Sequence, residues 1–280
     1  MFVARYVFGD NPPLDWVKPF YPSARADLFF RHAFKAASLA YLSNEVGSSA
    51  VQQKARTAYC SALSVTNQAL HSQDTAKKDT ILLTVLLLDL FENIIRDEAS
   101  SLSPASKHLE GALALFKFRG NKQFEDPVSV SMFTHLSAIL IPSYLSRGIP
   151  IPKTFLRLRQ QASRFACTDD PAWRLLNLMI QLATLQTVTH DNVAKKTQAL
   201  ATAQYLDLEF LDISNAMPRP KTLEMISTEE LMSSRDIDSA GRDLAREKNL
   251  RLVRRLLDEQ LSVLSAEDET KAWIPSSKVE

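Results

Sequence analysis

Asp79-Thr80-Ile81-Leu82-Leu83-Thr84-Val85-Leu86-Leu87-Leu88-Asp89-Leu90-Phe91-Glu92 is the stretch that decides the fold. Its apolar residues do not alternate with polar ones, as they would in a half-buried strand, and at helical spacing they cover almost every side of the cylinder. A helix that is apolar all round must be enclosed by other elements. The pattern therefore predicts a central, least exposed helix from about Asp79 to Arg96. Its purest part, Ile81 to Leu88, is interrupted by Thr84 and closed by Asp89, well short of the roughly 20 residues that cross a bilayer, so no membrane span is expected.

What encloses it reads as more helix. From Arg25 to Asn44, Leu28, Phe29, Phe34, Ala37 and Tyr41 recur at three-or-four spacing, with Gly47 as a stop signal just beyond. Val51 to Leu70 carries Ala55, Ala58, Tyr59, Ala62, Leu63, Thr66 and Leu70 on one stripe. Downstream, Ser103-Pro104, Asp126-Pro127 and Asp170-Pro171 each pair an N-cap residue with a proline at the first helical position, where its missing N–H costs nothing. They predict helices over Pro104–Arg119, from Pro127 toward Pro142, and from Pro171 toward about Thr189. Prolines at 142, 150 and 152 mark a break, after which Thr154–Arg164 and Asp191–Leu211 read as helices. Six glycines in 280 residues are too few for the turns of an all-β chain, and no run alternates with period two. Short connections imply antiparallel neighbours. The expected fold class is all-α, a multi-helix bundle of antiparallel helix hairpins. A shared Ala/Leu/Tyr stripe without an exact repeat leaves a solenoid-like stacking open.

A helical domain over 1–215 is expected to be followed by a charged linker and C-terminal helix over 216–280, with a frayed end. The boundary is the proline pair in Met217-Pro218-Arg219-Pro220. Beyond it Ser227-Thr228-Glu229-Glu230 fits a capping box, and Leu250, Val253, Leu257, Leu261 and Leu264 form a narrow apolar stripe flanked by Arg/Glu pairs. Charge is balanced overall, 33 Lys+Arg against 32 Asp+Glu, so no global field draws the chain to nucleic acid or to a membrane. Cys60 and Cys167 form no metal-binding or redox spacing, and no secretory signal is read at Met1–Tyr6, which together suggest an intracellular, soluble protein.

Motifs that carry chemistry are absent: no G-x-S-x-G, H-E-x-x-H, Walker A loop or G-x-G-x-x-G. The five histidines never fall four apart, so no metal site, no cofactor and no catalytic residue is assigned. Adjacent Asp97 and Glu98 diverge on a helix and read as a solvated end. Arg242, Arg246, Lys248, Arg251, Arg254 and Arg255 are interleaved with Asp243, Glu247, Asp258 and Glu259, which reads as a salt-paired face and not as a DNA patch. Phe29, Phe34, Phe91, Phe116 and Phe118 read as core. The richest segment is His108-Leu109-Glu110-Gly111-Ala112-Leu113-Ala114-Leu115-Phe116-Lys117-Phe118-Arg119-Gly120. Gly111 beside Ala112 suggests close approach of a neighbouring helix, Arg119 suits the helix C-terminal dipole, and Gly120 suits a left-handed cap. Glu92, His108 and Arg119 are the candidate ligand-binding residues, with a hydrogen-bonded structural role as the plainer reading of His108 and Arg119.

Phe2-Val3-Ala4-Arg5-Tyr6-Val7-Phe8, the Ala33 to Leu42 segment, Ala58-Tyr59-Cys60-Ser61-Ala62-Leu63, Leu90-Phe91-Glu92, His108-Leu109-Glu110-Gly111-Ala112 and Phe118-Arg119-Gly120 occur in an order that resembles the regulatory, or middle homology, region of fungal-specific transcription factors. The resemblance covers about residues 1 to 215. It implies a helical domain that regulates transcription and sometimes senses small molecules, downstream of a six-cysteine zinc cluster that this two-cysteine sequence does not contain. It also implies a nuclear location, protein partners in the transcription machinery or a homo-oligomer, and no direct nucleic-acid or membrane contact.

Three functions are thus weighed. One is a non-enzymatic regulatory domain acting by protein contacts. Another is a ligand-binding module with a cavity near Phe91, His108 and Phe116. The third is a small helical biosynthetic enzyme using His108 with Glu92 or His135 as acid and base.

Overall fold

The computed structural model describes residues 15–20, 27–95, 107–187, 193–217 and 236–272, and among these it contains no strand. The α-helices are α1 (Leu28–Val46), α2 (Ser49–Leu70), α3 (Gln73–Ala76), α4 (Asp79–Ile95), α5 (Lys107–Arg119), α6 (Pro127–Ser146), α7 (Lys153–Ala162), α8 (Pro171–Gln186), α9 (Val193–Ala216) and α10 (Asp236–Ala272). The fold is all-α, as the periodicity predicts. Ser103-Pro104, Asp97, Glu98 and the Ser227–Glu230 capping box lie outside the described residues.

The described chain packs as two units. One comprises the residues up to 140 together with 153–166 and the start of α10, 236–243, and the other holds 141–152, 167–217 and the part of α10 from 244. In the first unit α1 and α2 form a hairpin whose turn is set locally: Gly47 takes φ 60°, a left-handed conformation suited to glycine, and the Ser48 hydroxyl accepts from the Val51 N–H. The facing positions are alanines, Ala36 and Ala40 on α1 and Ala55 and Ala58 on α2, so the two backbones approach closely, with Phe91 of α4 packed against them. The central helix α4 is as enclosed as its sequence demands: Thr80 through Asp89 are all buried. Buried Thr84 is accommodated because its hydroxyl donates to the Thr80 carbonyl at 2.6 Å.

An aromatic core joins α5, α6, α7 and the short 3-10 helix Asn121–Glu125. Phe133 meets Phe116 at 5.1 Å, Phe124 at 5.3 Å and Phe155 at 5.5 Å between ring centroids, and all four are fully buried. The helix that supplies Phe133 departs from two expectations. Pro142 does not end α6; it sits inside it, and the helix runs on to Ser146 before Gly148 closes the turn at φ 61°. The hydrogen bond that the proline forfeits falls on the carbonyl of Ala138, an exposed residue that water can reach. Among the described residues α6 is also the one helix long and apolar enough to cross a membrane, at mean hydropathy 1.4. Half of that window is buried, and Met132, Phe133, Leu136 and Leu140 are wholly so, the packing of a core helix.

In the second unit α8 starts at the predicted Asp170-Pro171 signal, the aspartate carboxylate accepting from the Ala172 and Trp173 N–H groups at 2.7 and 3.1 Å. It packs against α9. The stripe read in α10 turns inward at Val253, Leu257 and Leu264. Its charged flanks pair as read, Arg251 with Glu247, Arg254 with Asp258 and with Asp207 of α9, and Arg255 with Glu259.

Candidate functional site

Two of the three singled-out residues come together, and a residue that sequence reasoning missed joins them. Glu92 lies in the last turn of α4 and His108 in the first turn of α5, with Tyr59 of α2 between their polar ends. The Tyr59 hydroxyl is 2.7 Å from Glu92 Oε1 and 2.8 Å from His108 Nε2, and Nε2 is 3.1 Å from the same Oε1. The tyrosine ring stacks on Phe91 at 4.3 Å and meets the imidazole edge-on at 6.1 Å. His108 and Glu92 side chains keep 17% and 32% exposure, so the cluster sits at the edge of the core.

Counting protons fixes the polarity of this cluster. Glu92, when ionised, only accepts, and a phenol has one proton to give. With Tyr59 donating to Glu92, the short contact from Nε2 to the phenol oxygen requires a proton on Nε2. His108 therefore donates from Nε2, toward the phenol and the carboxylate, in its neutral form as well as its cation. Burial, then the hydrogen bond to Glu92 and its negative charge, push the Tyr59 hydroxyl well above its ordinary pKa. The result is a neutral phenol held between a carboxylate and an imidazole, a pin across three helices. The polar ends that an acid–base pair would turn toward a substrate are turned toward one another.

Arg119 is elsewhere. Its guanidinium pairs with Asp79 in the first turn of α4, and its Nη2 donates to the Ser129 hydroxyl of α6 at 3.3 Å. Its side chain is only 8% exposed. The carbonyls at the end of α5 are instead served by Gln123, whose amide N–H group donates to Phe116 and Gly120 at 2.6 Å each. Gly120 itself has φ 79° and ψ −178°, a glycine conformation but not the left-handed helical one expected. Gly111 is a further correction: a Cβ there would meet nothing within 4 Å, so it faces open space and Ala112 is the residue buried against the neighbours. Phe118, read as core, is 46% exposed with the Lys77 ammonium 5.7 Å from its ring.

Phe91 and Phe116 belong to different packing groups. Phe91 is covered by Tyr59, and Phe116 belongs to the Phe124–Phe133 packing. Arg159 of α7, unremarked in the sequence, is buried, which lowers its guanidinium to about 10. Concave surface is found in the second unit. A groove of about 390 Å³ lies between α8 and α9, bordered by Ile180, Gln181, Leu185, Gln198 and Ala199. A more open one runs along α10, where the arginines are already paired with carboxylates and Arg254 also covers Phe210 at 5.6 Å. Among the described residues no group of three His, Cys, Asp or Glu side chains could hold a metal ion.

The model of the fungal specific transcription factor domain matches residues 3–149. The chain belongs to that family. Within the fungal specific transcription factor domain lie Tyr59, Glu92, His108, Arg119 and the partners Asp79 and Ser129, so both polar clusters are part of the matched region. The match stops short of residue 215, to which the resemblance had extended, and short of Phe155, whose ring completes the aromatic core. No curated protein and no solved structure matches the chain. At the level of the family its role is regulatory, in transcription.

Proposed function

We propose that the chain is a non-enzymatic regulatory domain that works in the nucleus through contacts with other proteins of the transcription machinery. The observation that carries this reading is the family match over residues 3–149. The Tyr59–Glu92–His108 cluster and the Arg119–Asp79–Ser129 cluster then serve as positioning devices, tying α2, α4, α5 and α6 into one scaffold. The test is to tether the whole chain to an unrelated DNA-binding domain upstream of a reporter. A several-fold change in output, reduced in the destabilised Phe133→Ala variant, is expected. Output equal to that of the DNA-binding domain alone would contradict the reading.

A second reading, a small-molecule effector, is supported by the groove between α8 and α9, whose volume falls in the range of ligand sites. Its lining has no charged side chain, which favours a neutral ligand that can pair with the Gln181 and Gln198 amides. A thermal-shift screen with neutral metabolites tests it: saturable stabilisation that disappears in Gln198→Ala, at an exposed position of the lining, supports an effector site, and no shift removes it.

A further inference from the structure

Helix α7 turns one face to the aromatic core and the other to solvent. Phe155, Leu158 and Ala162 are buried, and the Phe155 ring holds the helix against Phe133. Lys153, Arg157, Gln160 and Arg164 are all exposed and follow one another at spacings of four, three and four, so they stand in a single line along the outer side. Arg164 lies just past the last helical residue, yet the backbone keeps its course there: the Ser163 N–H donates to the Arg159 carbonyl at 2.9 Å and the Ala166 N–H to the Ala162 carbonyl at 3.0 Å. Phe165, at the end of the line, is 52% exposed. Between Asp126 and Asp169 the sequence has Arg147, Lys153, Arg157, Arg159 and Arg164 and no Asp or Glu, in a chain whose total charges balance. Helix α10 is the contrast. There Arg251, Arg254 and Arg255 each have a carboxylate partner, whereas among the described residues none of Lys153, Arg157 and Arg164 is paired with a carboxylate.

We propose that this ridge is a docking surface for an acidic, helical segment of a partner protein. The inference rests on the regulatory reading above and names the kind of contact through which the domain acts. Charge complementarity carries it: a line of cations that the fold leaves without carboxylates is matched by a line of carboxylates on another chain. The spacings of the ridge correspond to rises of about 6.0, 4.5 and 6.0 Å at 1.5 Å per residue, and carboxylates at i, i+4, i+7 and i+11 of a second helix repeat at the same rises. Arg157 and Arg164 can each hold a carboxylate through two parallel N–H groups, Lys153 supplies a third cation, and the Gln160 amide N–H can donate between them. Phe165 offers an apolar contact at one end of the row. A nucleic-acid duplex fits less well, because its phosphates follow a curving groove edge and a short straight ridge on a charge-balanced chain meets only a few of them.

The test uses the whole chain and a fluorescein-labelled, alanine-based helical peptide of about 20 residues with glutamates at i, i+4, i+7 and i+11 and a leucine beyond the last. A peptide of the same composition with consecutive glutamates is the control. Fluorescence anisotropy at about 0.1 M salt is expected to show saturable binding of the spaced peptide, at least about threefold tighter than that of the control. The double variant Arg157→Gln/Arg164→Gln is expected to weaken it at least about fivefold, with an unchanged melting temperature because both positions are exposed. Lys117→Gln/Lys122→Gln, which removes the same charge from exposed positions of the same unit, is expected to change it less than about twofold. Equal losses in the two double variants, equal affinity for the two peptides, or tighter binding of a DNA duplex than of the spaced peptide would overturn the proposal. The reporter assay reads separately: a response to tethering without peptide binding removes the ridge and leaves the regulatory reading, and peptide binding without a reporter response does the reverse.

Discussion

The two units put their large apolar side chains to different use. In the first, the exposed ones are spread out, Leu28 and Val46 at opposite ends of α1, Phe118 on α5 and Phe165 beyond α7, while the four phenylalanines of the aromatic core and the whole of α4 from Thr80 to Asp89 are buried. In the second, three of the four exposed ones, Tyr205, Leu208 and Leu211, lie on one side of α9, and Val263 is on α10. Polar groups divide similarly. Arg119 and His108 are tied into clusters at the edge of the first core, whereas Arg251, Arg254 and Arg255 pair along a helix surface. Burial in the first unit makes a scaffold, and in the second an apolar stripe of α9 is exposed. The difference is one of enclosure against exposure, and it can be probed by substitution.

The largest effect is expected at the aromatic core. Phe133→Ala removes a ring that touches three others and should cost about 3–5 kcal/mol in denaturant unfolding, while Leu208→Ala on the open face of α9 should stay within about 0.5 kcal/mol. Equal costs would erase the distinction between the units.

Next comes Arg119. Arg119→Ala strips Asp79 of its cation and leaves the Ser129 hydroxyl with only its own donation to Asp79. Because Asp79 keeps 29% exposure, the loss is expected near 2 kcal/mol, below the full cost of breaking a wholly buried pair. A loss under about 0.5 kcal/mol would show that the cluster is only a surface pair.

Tyr59→Phe should cost about 1 kcal/mol near neutral pH, with a sharper signature in alkali. The folded pKa of Tyr59 is raised, so its contribution is fully present below the unfolded value of about 10 and is lost as pH rises beyond it. Stability of the parent chain should therefore fall faster above about pH 10 than that of Tyr59→Phe. Parallel alkaline limbs in urea titrations of the two proteins would deny the pin its electrostatic component.

The smallest effect has the opposite sign. Gly111→Ala should stabilise by about 0.5–1 kcal/mol, since the added methyl meets nothing within 4 Å and the helix gains in propensity. Destabilisation would mean that a neighbour does approach there.

Legibility in the sequence followed the range of the interactions. Caps and stops governed by adjacent residues, Asp126-Pro127, Asp170-Pro171 and Gly47, were readable because their hydrogen bonds close within four residues. The enclosed position of α4 was readable because no other environment suits an apolar surface on every side. Pro142 misled because one solvated carbonyl is a smaller loss than breaking a core helix. Gly111 misled because composition cannot tell an open helix face from a crowded one. Glu92 and His108 were singled out, yet their partner Tyr59 is 33 and 49 residues away and reads in the sequence as one more member of an apolar stripe. Only the meeting of three helices reveals its hydroxyl as the hinge of the cluster. The exposed stripe on α9 was hidden for a related reason: two opposite apolar faces cancel as an amphipathic signal.

Hydrogen exchange of the whole chain, followed by mass spectrometry in dilute native buffer, tests the contrast between scaffold and exposed face most directly. Peptides from Ile81–Leu88 and from the Phe133 region should exchange slowest, by global unfolding, and those over 201–215 should exchange faster. Protection over 201–215 equal to that of Ile81–Leu88 would contradict the distinction between an enclosed scaffold and an exposed helix face.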